Sequence, residues 1–246
     1  MNNSFLDSIN LLRFLEIDST NEEAKRQIVS GAKMPMLIVA DSQTGGKGRL
    51  GRKFYSPKGT GLYMSYVYKL SGDITDNLCV TALSAVATAM AIEEQTGKKP
   101  LIKWVNDLYL EGKKVAGILT EAVTDKNGDT FIIIGIGVNI TTKDFPREIS
   151  NIAASIGDID RDALAFSISE NLARLINSKQ DKSFMNYYRE RSFVLGKEVQ
   201  FTYNSFTEYG TATGIDDNGA LKIKMQDGSE RLLRTGEITL RVKENP

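Results

Sequence analysis

The sequence contains no histidine among its 246 residues. This absence excludes serine–histidine and cysteine–histidine catalysis, histidine general bases and histidine metal ligands. Cysteine is nearly absent as well. The single Cys79 excludes an internal disulfide and a multi-cysteine metal site, and we interpret it as a core residue. Any chemistry must therefore use lysine, arginine, carboxylates, backbone amides or a metal ion held by oxygen atoms.

Net charge and long apolar runs are also missing. Lysine plus arginine and aspartate plus glutamate both number 31, so the formal net charge is zero. This balance argues against nucleic-acid binding through overall positive charge, although a local basic patch would still allow it. No apolar run approaches the roughly 20 residues that span a bilayer, and the N-terminus lacks a signal-peptide pattern. We therefore expect a cytoplasmic protein with no membrane and no nucleic-acid partner.

The order of apolar, glycine and polar residues predicts two regions. Helices and strands alternate up to residue 195, whereas short β-type runs with Asn-Gly and Asp-Gly turns follow Gly196. The predicted helices start at residue 19 and stop at Gly31, and cover 80–95, 161–177 and 183–191. The predicted strands cover 36–40, 61–68, 101–105, 115–123 and 131–140, with 107–114 as a hairpin connection. A compact barrel is predicted from 198–203, 209–215, 221–225, 230–233 and 238–242.

Residues 44–53, directly after the predicted strand 36–40, read Thr-Gly-Gly-Lys-Gly-Arg-Leu-Gly-Arg-Lys. Glycine lets the backbone approach a ligand closely, and the cations supply positive charge, so the segment suits a phosphate or carboxylate. It is not a P-loop, because Arg52-Lys53 follow Gly51 where Lys-Ser/Thr is required. Nor is it a dinucleotide fingerprint, because residues 54–59 do not start a helix. The alternative is a solvated basic hairpin loop.

A second polar segment runs from Lys103 to Asp107, in the order Lys-Trp-Val-Asn-Asp, at the end of a predicted strand. A hairpin return brings Lys114 within reach of Asp107, and the alternative is a surface salt bridge beside a turn. Residues 19–21, Ser-Thr-Asn, precede a predicted helix, so an ordinary helix cap is the alternative to a functional role. Residues 135–139, Gly-Ile-Gly-Val-Asn, place two glycines inside a strand, which indicates close approach of a ligand or another backbone.

In order and spacing, these segments resemble the biotin protein ligases from about Leu15 to the C-terminal barrel. The resemblance rests on Ser-Thr-Asn, Gly-Lys-Gly-Arg-x-Gly-Arg, Lys-Trp-x-Asn-Asp, Lys-x-x-Gly-Ile-Leu-x-Glu and Gly-Ile-Gly-x-Asn. It implies an α+β fold: a mixed-sheet catalytic domain flanked by helices at 1–195, and a small SH3-like barrel at 196–246. Because only about fifteen residues precede the first motif, we expect a monofunctional ligase without an N-terminal DNA-binding domain.

The resemblance also implies the chemistry. Such ligases join biotin to AMP, using ATP and Mg²⁺, and transfer the biotinyl group to one lysine of a biotin carboxyl carrier protein. Family members occur as monomers and as homodimers, so both states stay open. A lipoate–protein ligase and a non-catalytic biotin-binding module are the alternatives. A nucleic-acid-binding protein using the basic loop is a further rival, which predicts binding that weakens steeply with salt and no ATP consumption.

The resemblance to the biotin protein ligases also implies roles for individual residues of this sequence. The residues expected to bind biotin are Ser19, Thr20, Asn21, Gln43, Gly46, Lys47, Lys114 and Gly117. Those expected to bind ATP or the adenylate are Arg49, Arg52, Phe54, Lys103, Trp104, Asn106 and Asn139. The expected catalytic residues are Lys114, Arg49 and Asp107, with Asp107 also the candidate for Mg²⁺. For Trp104, a place in the hydrophobic core is an equally good interpretation.

Three positions depart from the family pattern. Lys47 replaces the commoner arginine and so loses bidentate geometry while keeping the charge. Phe54 replaces a tryptophan that packs on adenine, and Val105 replaces a proline, which predicts a less rigid backbone before Asn106. None of these changes removes a group that the chemistry needs.

Overall fold

The computed structural model describes residues 9–71, 77–203, 206–234 and 241–242, which form two β-sheets and four α-helices. The first sheet contains β1 (Asn10–Phe14), β2 (Met36–Ala40), β3 (Gly61–Lys69), β4 (Leu101–Lys103), β5 (Asp107–Leu110), β6 (Lys113–Thr124) and β7 (Thr130–Asn139). The helices are α1 (Thr20–Val29), α2 (Asn77–Thr96), α3 (Arg161–Asn177) and α4 (Phe184–Glu190). The second sheet contains β8 (Glu198–Tyr203), β9 (Phe206–Ile215), β10 (Leu221–Met225), β11 (Glu230–Leu233) and β12 (Arg241–Val242).

The first sheet is mixed, as expected. Its strand order is β1-β2-β3-β7-β6-β5-β4, with β1 and β2 parallel and all other neighbours antiparallel. Apolar side chains alternate between its two faces along β3 and β7. Met64 and Ile134 belong to the larger core with α2, whereas Val67 and Ile133 pack with Ala24 of α1. The sheet is therefore covered on both faces by helices.

Helix α2 lies inside the larger core. It is apolar nearly all round, as expected of a helix that other elements cover on several sides. Two of its buried hydroxyl groups are satisfied within the helix, because Ser84 Oγ donates to the carbonyl of Val80 and Thr88 Oγ1 donates to the carbonyl of Ser84. Gly97 follows the helix with φ +67°, a left-handed conformation that glycine adopts without strain. Among the described residues, no helix is long and apolar enough to cross a membrane.

Three parts of the first sheet differ from the sequence prediction. The predicted strand 101–105 ends at Lys103, which pairs directly with Asp107, so the three residues between them make the turn. The predicted connection 107–114 contains a strand of its own, β5, followed by a tight turn at Glu111 and Gly112 with positive φ. The edge strand β1 was not predicted at all.

The second sheet confirms the predicted all-β unit of five strands, in the order β11-β10-β9-β8-β12. Gly219 and Gly228 adopt φ of +88° and +84° in the two predicted turns, a conformation that favours glycine. Of the predicted strand 238–242, residues 238–240 lie outside the described residues. The division of the chain at residue 195 stays a prediction. Trp104 Nε1 donates a 2.8 Å hydrogen bond across to the carbonyl of Gly219.

Candidate active site

A cavity of about 760 Å³ opens between residues 44–53 (the glycine-rich loop), the start of α1, the β4–β5 turn and the ends of β6 and β7. All but one of the site residues expected from the sequence line it: Ser19, Thr20, Asn21, Gln43, Lys47, Arg49, Arg52, Phe54, Lys103, Trp104, Asn106, Asp107, Lys114, Gly117 and Asn139. Gly46 is the exception, because it is buried at the base of the loop and is not part of the lining. The structure thus brings together residues that are more than a hundred positions apart in the chain.

The glycine-rich loop is a hairpin anchored at its base. The amide of Phe54 donates to the carbonyl of Gly46 at 2.9 Å, and the amide of Gly48 donates to the carbonyl of Arg52 at 2.7 Å. Gly46 has to be glycine, since a Cβ there would lie 2.6 Å from the carbonyl oxygen of Phe54. The loop therefore directs Lys47, Arg49 and Arg52 to the cavity wall.

A neutral hydrogen-bonding group lies on the α1 side of the cavity. The amide of Thr20 and its Oγ1 both donate to Gln43 Oε1, at 2.9 and 3.2 Å, while Gln43 Nε2 donates to Ser56 Oγ at 3.0 Å. Ser19 occupies the N-cap position of α1 but makes no side-chain capping bond. The helix-cap explanation of Ser19 thus lacks its hydrogen bond, and this buried residue contributes to the cavity lining.

Asn21 is held from two sides on the floor of the cavity. Its Oδ1 accepts from Ser65 Oγ at 2.6 Å, and its Nδ2 donates to Glu121 Oε2 at 2.8 Å. A Cβ on Gly135 would overlap the amide group of Asn21. Gly135 therefore leaves room for a side chain from α1, a neighbour that the sequence prediction did not name. Gly135 also lines the cavity, so the predicted approach of a ligand stays a prediction.

Gly137 and Gly117 make room for the ring of Phe54. A Cβ on Gly137 would overlap the ring, and one on Gly117 would lie 3.4 Å from it and 3.1 Å from Lys114 Nζ. The ring also packs edge-on against Tyr63, with 6.4 Å between centroids. The second strand glycine is thus explained by an aromatic side chain that reaches over the sheet into the cavity.

Lys114 and Asp107 form an ion pair at the centre of the lining, as the hairpin prediction required. Lys114 Nζ lies 2.7 Å from Asp107 Oδ1, and the two side chains are 31% and 24% exposed. The backbone of Lys114 is fixed by its neighbours: its amide donates to the carbonyl of Ile152, and its carbonyl accepts from Ala154. The pair is partly buried in the cavity, so a fully solvated surface salt bridge does not describe it.

Arg49 reaches across the cavity from the glycine-rich loop. Its Nη1 donates to Asn106 Oδ1 at 3.2 Å, and Asn106 Nδ2 donates to the carbonyl of Ile118 at 2.9 Å. Burial lowers the pKa of Arg49 from its ordinary value, and the negative charge of Asp107 opposes that shift. Arginine stays charged at any physiological pH, so the cavity concentrates cations around a single carboxylate.

Trp104 proves to be mainly a core residue. It is 5% exposed, and its Nε1 is committed to the carbonyl of Gly219 in the second sheet. Part of the residue nevertheless contributes to the cavity wall. The ammonium of the adjacent Lys103 lies 5.2 Å from the centre of the Tyr109 ring. Asn139 is buried, and its Nδ2 donates to the carbonyl of Ala154 at 3.1 Å.

Two parts of the lining escaped the sequence prediction. One is the segment after β7, which contributes Phe145, Ile149, Ile152 and Ala153. Ile152 is 58% exposed, and exposed apolar side chains are typical of binding surfaces. In the sequence, the one signal for this segment was an apolar residue in a connection between predicted elements. The other is a stacked pair, Tyr109 and Phe193, with centroids 5.2 Å apart. Burial raises the pKa of Tyr109 to about 12, so its hydroxyl stays protonated.

The acidic residues show what kind of metal site the cavity allows. Within the described ranges no three histidine, cysteine or acidic side chains cluster as metal ligands, and Asp107 is the one carboxylate among the lining residues. A single carboxylate does not make a closed metal cage. It does fit Mg²⁺ that is bound by one carboxylate together with substrate phosphates and water.

Comparison with known families shows two matches along the chain. Residues 14–139 match the Biotin/lipoate A/B protein ligase family, and residues 194–241 match the Biotin protein ligase C terminal domain. The chain is 32% identical over 231 residues to the bifunctional ligase/repressor BirA of Bacillus subtilis, covering 88% of this chain and 70% of that protein. It is 29% identical over 220 residues to the biotin–[acetyl-CoA-carboxylase] ligase of Mycobacterium tuberculosis, covering 82% of this chain and 79% of that protein.

Solved structures agree with these matches. The fold is similar to the biotin protein ligase of Aquifex aeolicus in complex with biotin and ATP, with a TM-score of 0.82 and 29% identity. That superposition covers 95% of this chain and 99% of the other. The biotin protein ligase of Leishmania major in complex with biotinyl-5-AMP shares the fold, with a TM-score of 0.63.

Proposed function

Since the chain belongs to the Biotin/lipoate A/B protein ligase family and carries the C-terminal domain of biotin protein ligases, we propose that it biotinylates one lysine of a biotin carboxyl carrier domain. It is an ATP-dependent biotin–protein ligase, and biotin and ATP are its substrates. We propose in addition the carrier domain as the acceptor, the two reaction steps described below and the roles of individual residues. The division into a catalytic part, 1–195, and a C-terminal part, 196–246, belongs to the proposal as well.

In the first step, a carboxylate oxygen of biotin attacks the α-phosphorus of ATP. A bond forms between this carboxylate oxygen and the α-phosphorus, the bond from the α-phosphorus to the oxygen that bridges to the β-phosphate breaks, and pyrophosphate leaves. The reaction brings anions together, so the enzyme has to neutralise charge and hold the two groups in line. Lys114 is the proposed bridge between carboxylate and α-phosphate, with Arg49 and Arg52 on the phosphates. Charged donors in a water-poor site contribute roughly 3 kcal/mol each to transition-state stabilisation.

The two ends of the cavity suit the two substrates. Thr20 and Gln43 offer neutral donors and acceptors at one end, which suits the uncharged ureido ring of biotin. Lys103 and Asn106 stand at the other end, where the adenylate is proposed to bind. Phe54 and the apolar residues after β7 can exclude water from the space between them. Lys114 lies where the two substrates would meet.

In the second step, the neutral amine of the carrier lysine attacks the acyl carbon of the adenylate. An amide bond forms, the bond between the acyl carbon and the phosphate oxygen breaks, AMP leaves with the phosphate as the departing anion, and the proton that the amine nitrogen loses passes to water. Asp107 is the proposed group that orients the incoming amine. The same carboxylate would hold Mg²⁺, which supplies charge neutralisation of the ATP phosphates when bound.

The observation that supports this proposal most directly is the Lys114–Asp107 pair, 2.7 Å apart in a cavity that also contains the Thr20–Gln43 group. The test is intact-mass analysis of a purified carrier domain after incubation with the enzyme, ATP, Mg²⁺ and biotin. We expect one biotinyl group on the carrier and none when its acceptor lysine is replaced by arginine. If the carrier stayed unmodified while the chain still bound biotin, the chain would be a non-catalytic biotin-binding module.

The family description includes lipoate ligases, so lipoate is the competing substrate. The match of residues 194–241 to the C-terminal domain of biotin protein ligases favours biotin. Replacing biotin with lipoate in the same assay separates the two. Modification of a lipoyl carrier domain by lipoate, with none by biotin, would replace the proposed substrate.

A further inference from the structure

The β9–β10 turn of the second sheet touches the catalytic cavity through Trp104. This residue lies in sequence between Lys103 and Asn106, both of which line the cavity. Its Nε1 donates a 2.8 Å hydrogen bond to the carbonyl oxygen of Gly219 in that turn, and the bond is buried. Backbone of the second sheet therefore stands directly behind the residues that we assign to ATP.

The turn has a fixed conformation. Asp216 Oδ1 accepts from the amides of Asn218 and Ala220, at 2.9 and 2.8 Å, and the amide of Gly219 donates to the carbonyl of Asp216 at 3.0 Å. Gly219 has φ of +88°, which a residue with a side chain adopts only with strain. The carbonyl that accepts from Trp104 thus has a defined direction.

The turn also contacts the first part of the chain on two sides. Arg189 of α4 donates from Nε to the carbonyl of Ile215 at 2.8 Å and pairs with Asp217, and Lys182 Nζ donates to Asn218 Oδ1 at 2.6 Å. On the side of α2, a Cβ added to Gly219 would lie 3.2 Å from Leu78 Cγ. The turn therefore lies against both α4 and α2.

The segment from Lys103 to Asp107 is held by contacts with several neighbouring elements. Tyr188 Oη donates to the carbonyl of Val105 at 3.1 Å, and Asn106 is bound to Ile118 on the opposite side. Because the segment is a turn between β4 and β5, its conformation depends on such contacts rather than on a continuous strand ladder. The Trp104–Gly219 bond ties the middle of that turn to the second sheet.

We propose that the β9–β10 turn is a positioning element for the ATP-dependent step, with the Gly219 carbonyl holding Trp104 and Trp104 holding Asn106 and Asp107 opposite Arg49 and Lys114. This inference rests on the proposed function. The second sheet then contributes to catalysis through one backbone carbonyl, without touching substrate. Biotin binding at Thr20 and Gln43 does not depend on the turn.

The chain offers a matched pair of variants, Gly219→Ala and Gly228→Ala. Both glycines lie in turns of the same sheet with nearly the same φ, so alanine introduces similar backbone strain at each. Only Gly219 has neighbours that a Cβ would meet, because Gly228 has nothing within 4 Å. Trp104→Phe is the second test, since it removes the N–H donor while keeping an aromatic ring in the core.

The assays are pyrophosphate release at varied ATP concentration and biotin binding without ATP, both well below each variant's thermal midpoint. We expect Gly219→Ala and Trp104→Phe to lose roughly tenfold in kcat/KM for ATP, as small misplacements of reacting groups do, with biotin affinity within about twofold of native. Gly228→Ala should keep native values in both assays.

Results that contradict the positioning role can be distinguished from results that contradict the ligase function. Native kinetics for ATP in Trp104→Phe, or equal losses in Gly219→Ala and Gly228→Ala, would overturn the positioning role while leaving the ligase assignment intact. A parallel loss of biotin affinity would point to general destabilisation and would also overturn it. No pyrophosphate release by the native chain would contradict the proposed function itself, and this inference with it.

Discussion

Lys114 Nζ lies 2.7 Å from Asp107 Oδ1, across the β5–β6 hairpin and facing the cavity. The pair places the charge of each residue next to its counter-charge before any substrate enters. An arriving carboxylate or phosphate competes with Asp107 for the lysine, and Asp107 is then available to a cation or an amine. The two residues can thus exchange partners during the reaction without either charge being left uncompensated.

Replacing Asp107 with asparagine tests the exchange. Asp107→Asn keeps the shape of the side chain but removes the negative charge of the carboxylate, which we propose orients the acceptor amine. We expect transfer of biotin from the adenylate to the carrier to slow by roughly 10²-fold, because the reacting amine is then no longer held in position. Quenched-flow transfer from preformed adenylate measures this step alone. A native transfer rate would remove Asp107 from the second step.

The pair Lys47–Glu22 ties the glycine-rich loop to α1, with Nζ 2.6 Å from Oε1. Glu22→Gln should weaken this tie and raise the KM for biotin several-fold at unchanged kcat, because the loop then loses order that binding must restore. Steady-state kinetics at low ionic strength provide the measurement. Asp129→Asn is the matched control, since it breaks a 2.6 Å pair with Lys69 at the far end of the sheet. Equal effects in both variants would contradict a role for the loop contact.

The ring of Phe54 depends on the absence of a side chain at Gly137. Gly137→Ala should displace the ring and lower kcat/KM for ATP by roughly tenfold, since a Cβ would overlap the ring atoms. Adding Phe54→Leu should recover part of that loss, because the smaller side chain makes room for the new methyl group. A double-mutant cycle on kcat/KM measures the coupling. Additive effects would show that the two positions act separately.

Stability should depend on pH in the acid range and hardly at all near neutrality. The Arg26 guanidinium lowers the pKa of Asp18 from 3.8 to about 2, so its stabilising contribution is present above pH 3.8 and is lost as pH falls towards 2. Asp18→Asn should therefore flatten part of the acid limb in chemical denaturation curves. Because the chain has no histidine, the free energy of unfolding should stay nearly constant between about pH 6 and 8. A titration step in that interval would contradict this account.

Much of the fold followed from local pattern. Helix α3 (Arg161–Asn177) and strands β2, β8, β10 and β11 begin and end at the predicted residues, because their apolar periodicity is regular and capping or turn residues flank them. Strand β5 was missed because its four residues lie between a polar turn and Glu111-Gly112, which together read as one loop. Edge strand β1 has no fully buried position, so no clear alternation marks it.

The candidate site followed from motif order rather than from periodicity. The Lys114–Asp107 contact could be predicted because a hairpin joins the two residues locally. The cavity wall after β7 could not, since Ile152 reaches Lys114 through a backbone contact that no pattern encodes. The role of Gly135 was likewise hidden, because the side chain that approaches it, Asn21, belongs to a distant helix.

Biotin-dependent pyrophosphate release from MgATP is the most direct test of the central claim that Lys114 brings the biotin carboxylate and the α-phosphate together. The comparison uses the native chain, Lys114→Ala and the neighbouring exposed variant Lys113→Ala. We predict release with biotin and not with lipoate, a loss of roughly 10²- to 10³-fold in Lys114→Ala as for removal of a transition-state donor, and native rates in Lys113→Ala. Release that Lys114→Ala sustains at the native rate would contradict the account.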